Sequence, residues 1–211
     1  MTSIVSRDRT TVLIPGVVLA GGSSTRMGSP KALLPLGAGT FLSQVLTTLR
    51  ASGLDDLVVV TGAHDAEIRQ AVETLAMPGV RVVHNAQHAD GQVASLRAAL
   101  HVVDHPGIAA VLVTLVDHPL VKAETVRRLI DAWAQVRAPV VRPVFEGRHG
   151  HPVIFASEVF SALWAVPVDA GARAVVRSLG NAVHDVPVDD PGVCADVDTP
   201  GDYARIARVE T

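Results

Sequence analysis

The run Leu19-Ala20-Gly21-Gly22-Ser23-Ser24-Thr25-Arg26-Met27-Gly28-Ser29-Pro30-Lys31 concentrates the residue types that hold anions. Two adjacent glycines, Gly21 and Gly22, let backbone amides approach a ligand with no Cβ in the way. Arg26 and Lys31 add a bidentate fork and a point charge to the same stretch. Together they describe a cradle for a polyphosphate, and counting excludes two familiar versions of one. A Walker A loop needs Gly, four residues and then Gly-Lys-Ser/Thr, but the position five after Gly22 is Met27, and Gly28 precedes Ser29. A G-x-G-x-x-G dinucleotide fingerprint also fails, because Ser23 and Ser24 stand where its second glycine belongs.

Such a loop needs a rigid element on each side. Val17–Ala20 is a short apolar run and predicts a buried strand directly before it. The apolar positions Phe41, Leu42, Val45, Leu46 and Leu49 share one helical face, so a helix is expected over Phe41–Ala51, stopped at Gly53. The cycle then repeats: strand Leu57–Val60, helix Ile68–Leu75, strand Val80–Val83, helix Val93–Val103, strand Ala110–Leu115, helix Glu124–Val136. Continuous apolar strands alternating with helices predict an α/β fold, a doubly wound and mostly parallel sheet covered on both faces. Val140–Val144 and Pro152–Phe155 flank the turn-rich Glu146–His151 and predict an antiparallel excursion on the sheet edge. A closing helix is expected from Thr199 to Val209, capped by Asp198 or Thr199 with Pro200 at its first position. In an open parallel sheet, ligands bind beyond the carboxyl ends of the strands. That rule selects the loops at 21–31, 61–64, 85–95 and 117–119.

The 211 residues are 48% hydrophobic and 18% charged, enough apolar material for one packed domain over 1–211, with 1–14 expected as a loose tail. The formal charge of −3, with no block of like charge, argues against a nucleic-acid or polybasic membrane partner. Arg7 and Arg9 precede an apolar run, but Pro15 and Gly16 interrupt it and no small-residue cleavage site follows, so a cleaved leader is not expected. No stretch reaches the roughly 18–20 apolar residues that span a bilayer. The single cysteine, Cys194, excludes an intrachain disulfide and a cysteine-built zinc site, and a cytoplasmic location is expected.

The string LAGGSSTRMGSPKALLPL resembles the signature of the MobA-like NTP transferases, and within them is most similar to the molybdenum cofactor cytidylyltransferases. Further similar segments follow in order: Asp90-Gly91 with Ser95-Leu96-Arg97, Val116-Asp117-His118-Pro119, Gly150-His151-Pro152-Val153, Asp169 to Arg173, and Asp196-Val197-Asp198-Thr199-Pro200 with Asp202-Tyr203. The resemblance implies a three-layer α/β/α, Rossmann-like sheet of the nucleotide-diphosphosugar transferase type. It also implies transfer of CMP from CTP to the phosphate of a molybdopterin-type acceptor, with pyrophosphate released and the product destined for a molybdoenzyme client.

Both reactants of that transfer are anions, so catalysis must come from positioning and charge neutralisation. Arg26 and Lys31 suit the triphosphate. The resemblance assigns a divalent metal, Mg²⁺, to Asp117, which follows a strand end; a helix cap or turn former is the competing role. It favours Asp198 as second ligand, with Asp196 in reserve; the two alternate, and in an extended segment would face one side. Leu19, Ala20, Gly21 and Gly22 are expected against the nucleotide, with Gly91 and Ser95 at the base. Gly62 is either a further base contact or a turn glycine. His151 and Arg173 match motifs that the resemblance places on the acceptor side. Ser29-Pro30-Lys31 is the wording of the cytidylyl branch, which favours CTP over GTP. The chain departs from the pattern at His118, where glutamine is commoner, and at Gly201, where glutamate is usual. The alternatives are a guanylyl or sugar-phosphate nucleotidyltransferase of the same fold, a non-catalytic cofactor chaperone, and a dehydrogenase disfavoured by the missing fingerprint.

Overall fold

The computed structural model describes residues 13–22 and 29–207. The first strand, β1 (Gly16–Leu19), leads through a 3₁₀ turn at Lys31–Leu33 to a short hairpin, β2 (Pro35–Leu36) and β3 (Gly39–Thr40). There follow α1 (Phe41–Ala51), β4 (Leu57–Thr61), α2 (Asp65–Leu75), β5 (Val80–His84), α3 (Gln92–Val103), β6 (Ala110–Leu115) and α4 (Ala123–Val136). The remainder comprises β7 (Val140–Phe145), β8 (Arg148–His149), β9 (Val153–Ala156), α5 (Phe160–Ala165), α6 (Gly171–Leu179), β10 (Val183–Pro187) and α7 (Pro200–Ala207).

Among the described residues the main sheet has eight strands, ordered β10-β7-β9-β6-β1-β4-β5, with β8 paired outside that path to β7. β1 pairs in parallel with β4 and β6, β4 with β5, and β7 with β10. Side chains alternate across the sheet as the two-residue strand period demands. Val18, Val59 and Leu112 face a core built with α1, α2 and α4, where Phe41, Leu46, Ile68 and Leu129 are buried. Val17, Val58, Val60, Val111 and Val113 face the opposite core, closed by Leu100 of α3, Phe160 and Leu163 of α5 and Val175 of α6. The result is the expected three-layer α/β/α arrangement with a mostly parallel sheet.

Local chemistry sets the boundaries. The hydroxyl of Thr40 accepts from the Ser43 amide at 3.2 Å, and the Ser43 hydroxyl accepts from the Thr40 amide at 2.7 Å, a reciprocal cap that starts α1. At the other end of the chain, Thr199 caps α7: its hydroxyl accepts from the Asp202 amide at 3.2 Å, and Asp202 accepts from the Thr199 amide at 2.8 Å. That leaves the Asp198 side chain to another task.

The structure differs from the sequence expectation in three places. The antiparallel strand is not on the sheet edge: β9 lies inside the sheet, antiparallel to both β6 and β7. Its four residues, VIFA, are all buried, and the interior position pairs its backbone on both sides. The edge goes instead to β10, whose sequence VHDVP is half exposed. Of the tail expected over 1–14, residues 1–12 lie outside the described residues, while Leu13 bridges to Ile108 and its carbonyl accepts from the Ala109 amide at 3.3 Å. The helices α5 and α6 and strand β10 appear where no element was predicted. Among the described residues, no helix is long and apolar enough to cross a membrane.

Candidate functional site

β1 lies between β6 and β4, so the chain turns to opposite sides of the sheet about its carboxyl end. This is the switch point at which the loops diverge and leave a crevice. A cleft of about 330 Å³ opens there, and nine predicted residues line it: Leu19, Ala20, Gly21, Gly22, Lys31, Gly91, Ser95, Asp117 and Asp198.

The polar centre of the cleft is a three-residue contact. The Lys31 ammonium donates to Asp117 Oδ2 at 3.3 Å and also to Asp198 Oδ1. Lys31 and Asp117 are mostly buried, their side chains 16% and 19% exposed, whereas Asp198 is nearer the surface at 47%. Burial alone would lower the Lys31 pKa. The hydrogen bond to Asp198 and the charges of both carboxylates outweigh it and hold the pKa above its ordinary value, so the group is a fixed cation at neutral pH. Residues 86 and 167 positions apart thus meet at one amine. β6 delivers Asp117, and the amide of Val197 donates to the Asp117 carbonyl at 3.0 Å, which lays the segment carrying Asp198 across the end of that strand.

The opposite wall is braced rather than charged. Ser95, buried in the first turn of α3, accepts from Asn85 Nδ2 at 3.1 Å, and Asn85 is buried as well. Gly91 begins α3 with φ of +93°, a backbone that favours glycine. Gly91 and Gln92 bring the amino end of α3 to the cleft, and a helix amino terminus favours negative charge. The cleft also contains Pro30, Ala32, Ile68, His88, Gln92, Leu115 and Val116, none of which was expected to line the site. Gln92 and His88 flank Gly91 closely enough in sequence that the loop rule at 85–95 contained them; nothing in the sequence flagged Ile68 except its place on the apolar face of α2.

Four expectations fall elsewhere. Gly62 does not line the cleft. A Cβ there would run into the Gly21 carbonyl oxygen and come within 2.6 Å of the His88 Cβ, so this glycine permits close packing beneath the loop. Asp196 is exposed and away from the cleft, and buried Val197 separates it from Asp198. His151 and Arg173 do not line the cleft either. His151 stacks at a tilt against buried His118, ring centroids 5.1 Å apart, and its pKa falls to about 4. Burial is the main cause, followed by the charge of His118; Arg173 adds to the fall, and a hydrogen bond with the Val113 backbone opposes it. Arg173 is exposed on α6. Arg26 lies outside the described residues.

A divalent cation fits this donor set. Asp117 Oδ1 is buried without a hydrogen-bond partner among the described residues, and a buried carboxylate oxygen requires a donor or a cation. His118 Nε2 stands 3.9 Å from it, beyond hydrogen-bonding range. No group of three or more His, Cys, Asp and Glu side chains capable of holding a metal forms among the described residues. Two carboxylates with the shell completed by substrate oxygens and water is the pattern that Mg²⁺ takes.

Nicotine blue oxidoreductase of Paenarthrobacter nicotinovorans is 32% identical over 88% of this chain and 92% of its own length. A probable molybdenum cofactor guanylyltransferase of Rhodopirellula baltica is 36% identical over 60% of this chain and 58% of its own. Among solved structures, Rv0371c of Mycobacterium tuberculosis superposes with a TM-score of 0.80 at 36% identity, covering 93% of this chain and 98% of its own. Its complex with manganese superposes at 0.76 with 33% identity over the same shares. The family model for the MobA-like NTP transferase domain matches residues 16–184, from the first residue of β1 into β10. That span contains the glycine loop, Lys31, the braced wall of α3 and Asp117, and the chain belongs to the MobA-like NTP transferase family.

Proposed function

We propose that this nucleotidyltransferase moves CMP from CTP to the phosphate of a molybdopterin-type acceptor and releases pyrophosphate, with Mg²⁺ as its cofactor. The observation that carries the proposal is the meeting of Lys31 with Asp117 and Asp198 at the mouth of the Gly21-Gly22 loop. In the transfer, a bond forms between an acceptor phosphate oxygen and the α-phosphorus while the bond from that phosphorus to the oxygen leading to the β-phosphate breaks. Gly21 and Gly22 present backbone to the phosphates. Lys31, and Arg26 from the same loop, neutralise the charge that builds on the departing pyrophosphate. Asp117 and Asp198 hold the metal, which supplies positive charge to the phosphate oxygens. Ser95, fixed by Asn85, and Gly91 face the base; cytosine is preferred on the wording of Ser29-Pro30-Lys31. His151 and Arg173 are assigned to the acceptor side, outside the nucleotide cleft.

The test is pyrophosphate release by the purified protein given CTP or GTP, Mg²⁺ or Mn²⁺, and either molybdopterin or a sugar phosphate. Turnover of CTP with molybdopterin is the expected result. Turnover of GTP alone reverses the base assignment, and turnover of a sugar phosphate alone reverses the acceptor. A second reading, hydride transfer, has the likeness to nicotine blue oxidoreductase in its favour. Against it stands the absence of G-x-G-x-x-G after β1. Tight NADH or NADPH binding together with no pyrophosphate release would establish that reading instead.

A further inference from the structure

We infer that Asp190 is a positioning residue for the metal site, acting through the segment 190–198 to hold Asp198 opposite Asp117; the inference rests on the metal reading proposed above. Asp190 is 1% exposed, and its carboxylate accepts three hydrogen bonds, two from the distant start of α4 and one from its own segment. Oδ2 accepts from the Lys122 amide at 2.9 Å and the Thr125 hydroxyl at 2.6 Å, and Oδ1 accepts from the Gly192 amide at 3.0 Å.

Two consequences follow from those partners. Lys122 and Thr125 are the cap and third residues of α4, and α4 has no side-chain cap of its own. Asp190 therefore supplies from 68 residues away the negative charge and acceptor that a helix amino terminus requires. Gly192, the next residue but one, lies so close to the loop before α4 that a Cβ would come within 2.6 Å of the Leu120 carbonyl carbon and 2.9 Å of the Val121 amide nitrogen. The segment is thus clamped where it leaves β10.

Its far end is tied to the same loop. Val197 donates to the Asp117 carbonyl at 3.0 Å, and midway the His151 amide donates to the Val193 carbonyl at 2.9 Å. Residues 190–198 form a strap fastened to 117–125 at both ends, with Asp117 at one end of that loop and Asp198 at one end of the strap. A buried carboxylate with three donors sets this registry firmly, because no amide or apolar side chain accepts all three. Slippage of the strap would move Asp198 relative to Asp117 without altering either carboxylate.

The experiment measures Mn²⁺ bound in the presence of CTP, read as water-proton relaxation enhancement of the ternary complex, for the wild type and Asp117→Ala, Asp190→Asn, Thr125→Val and Leu163→Ala. The expected result is a wild-type complex abolished by Asp117→Ala and weakened about 10- to 100-fold by Asp190→Asn. Asp190→Asn should lower kcat and leave KM for CTP within about twofold, since the phosphate loop and α3 wall are untouched. Thr125→Val removes one of the three donors, is milder, and serves if Asp190→Asn does not fold. Leu163→Ala lowers Tm from the opposite core and should leave Mn²⁺ binding unchanged. Mn²⁺ affinity equal to wild type in both strap variants, or an equal loss in Leu163→Ala, overturns the inference. Absence of any wild-type complex, or survival of that complex in Asp117→Ala, overturns the metal reading itself.

Discussion

The two ends of the sheet build their parts of the site differently. From β4 to α3 the wall of the cleft follows closely on the strands that position it, and its uncharged polar groups have near partners: Ser95, in the first turn of α3, accepts from Asn85, ten residues away, and Thr61 donates to Asp65, four residues away. From β6 onward the groups are brought together by chain crossings. A strap brings Asp198 to Asp117, and β9 pairs with β6 from 40 to 46 residues later. Here the buried atoms Asp117 Oδ1, His118 Nδ1 and His151 Nδ1 lack hydrogen-bond partners among the described residues. Among the described residues, no buried side-chain polar atom of the half from β4 to α3 lacks a hydrogen-bond partner, so the contrast lies in how the two halves satisfy their polar groups. Substitutions in the second half should therefore change chemistry and pH response, and those in the uncharged wall of the first should change nucleotide affinity.

The largest effect is expected at the unsatisfied end. Asp117→Ala should lower kcat about 10³-fold or more, the scale of losing one centre of charge stabilisation. The fold should survive, because this strand-end carboxylate belongs to neither core; far-UV circular dichroism and a Tm within a few degrees would establish that. Full metal-dependent activity in the variant would remove the basis of the contrast.

Next is the pH response of His151. Its folded pKa of about 4 lies below the ordinary 6.5, so the unfolded chain binds the proton more readily. The stability contributed is present in full above pH 6.5 and is lost as the pH falls toward 4, up to about 3 kcal/mol in all. Asp65, Asp185 and Asp202 are all held below 3.8, and the stability they contribute is lost at lower pH still, which leaves the window to the histidine. Urea unfolding at pH 7, 6, 5 and 4.5 should give a falling stability in the wild type and a flatter profile in His151→Gln. Equal slopes would place the acid sensitivity elsewhere.

The same division explains what the sequence disclosed. α1 forms over Phe41–Ala51 and β6 over Ala110–Leu115, as their periodicity predicts, because apolar spacing and caps are local signals. Lys31 and Asp117 were legible as a glycine loop and a strand-end acid. Strand order carries no such signal: nothing in VIFA says that it inserts between β6 and β7, and the short helix α5 has too few turns for a period to emerge. Resemblance alone ranks Asp198 above Asp196; the structure adds the physical reason, since Thr199 and Asp202 pair at the cap of α7 and leave Asp198 to Lys31 in the cleft. The role of Gly62 depends on the Gly21 carbonyl beneath which it packs, a contact between two loops.

That separation of the two acids gives a sharper test. Asp198→Asn should cost about 10- to 100-fold in kcat, roughly 1.4–2.7 kcal/mol of barrier, while Asp196→Asn should be indistinguishable from wild type. Equal losses would mean that the strap turns both carboxylates inward on loading.

The smallest effect belongs to the braced wall. Ser95→Ala removes the oxygen that accepts from Asn85 and leaves a buried amide donor without that partner, at a cost of about 1 kcal/mol or somewhat more in stability. Asn85 also holds the Gln87 amide through its Oδ1 at 3.0 Å, so the side chain stays in place and the wall keeps its shape. The lost hydroxyl should then appear as weaker nucleotide binding, a rise of about fivefold in KM at nearly constant kcat, the pattern of an interaction made equally in the ground and transition states. If Ser95 reads the base, the rise is larger for CTP than for GTP. If the rise is equal for both, the hydroxyl only supports the Gly21 loop, whose Cα position leaves room for a Cβ only 3.1 Å from the serine oxygen. A fall in kcat instead would place this residue with the chemistry of the far half and erase the distinction between the two.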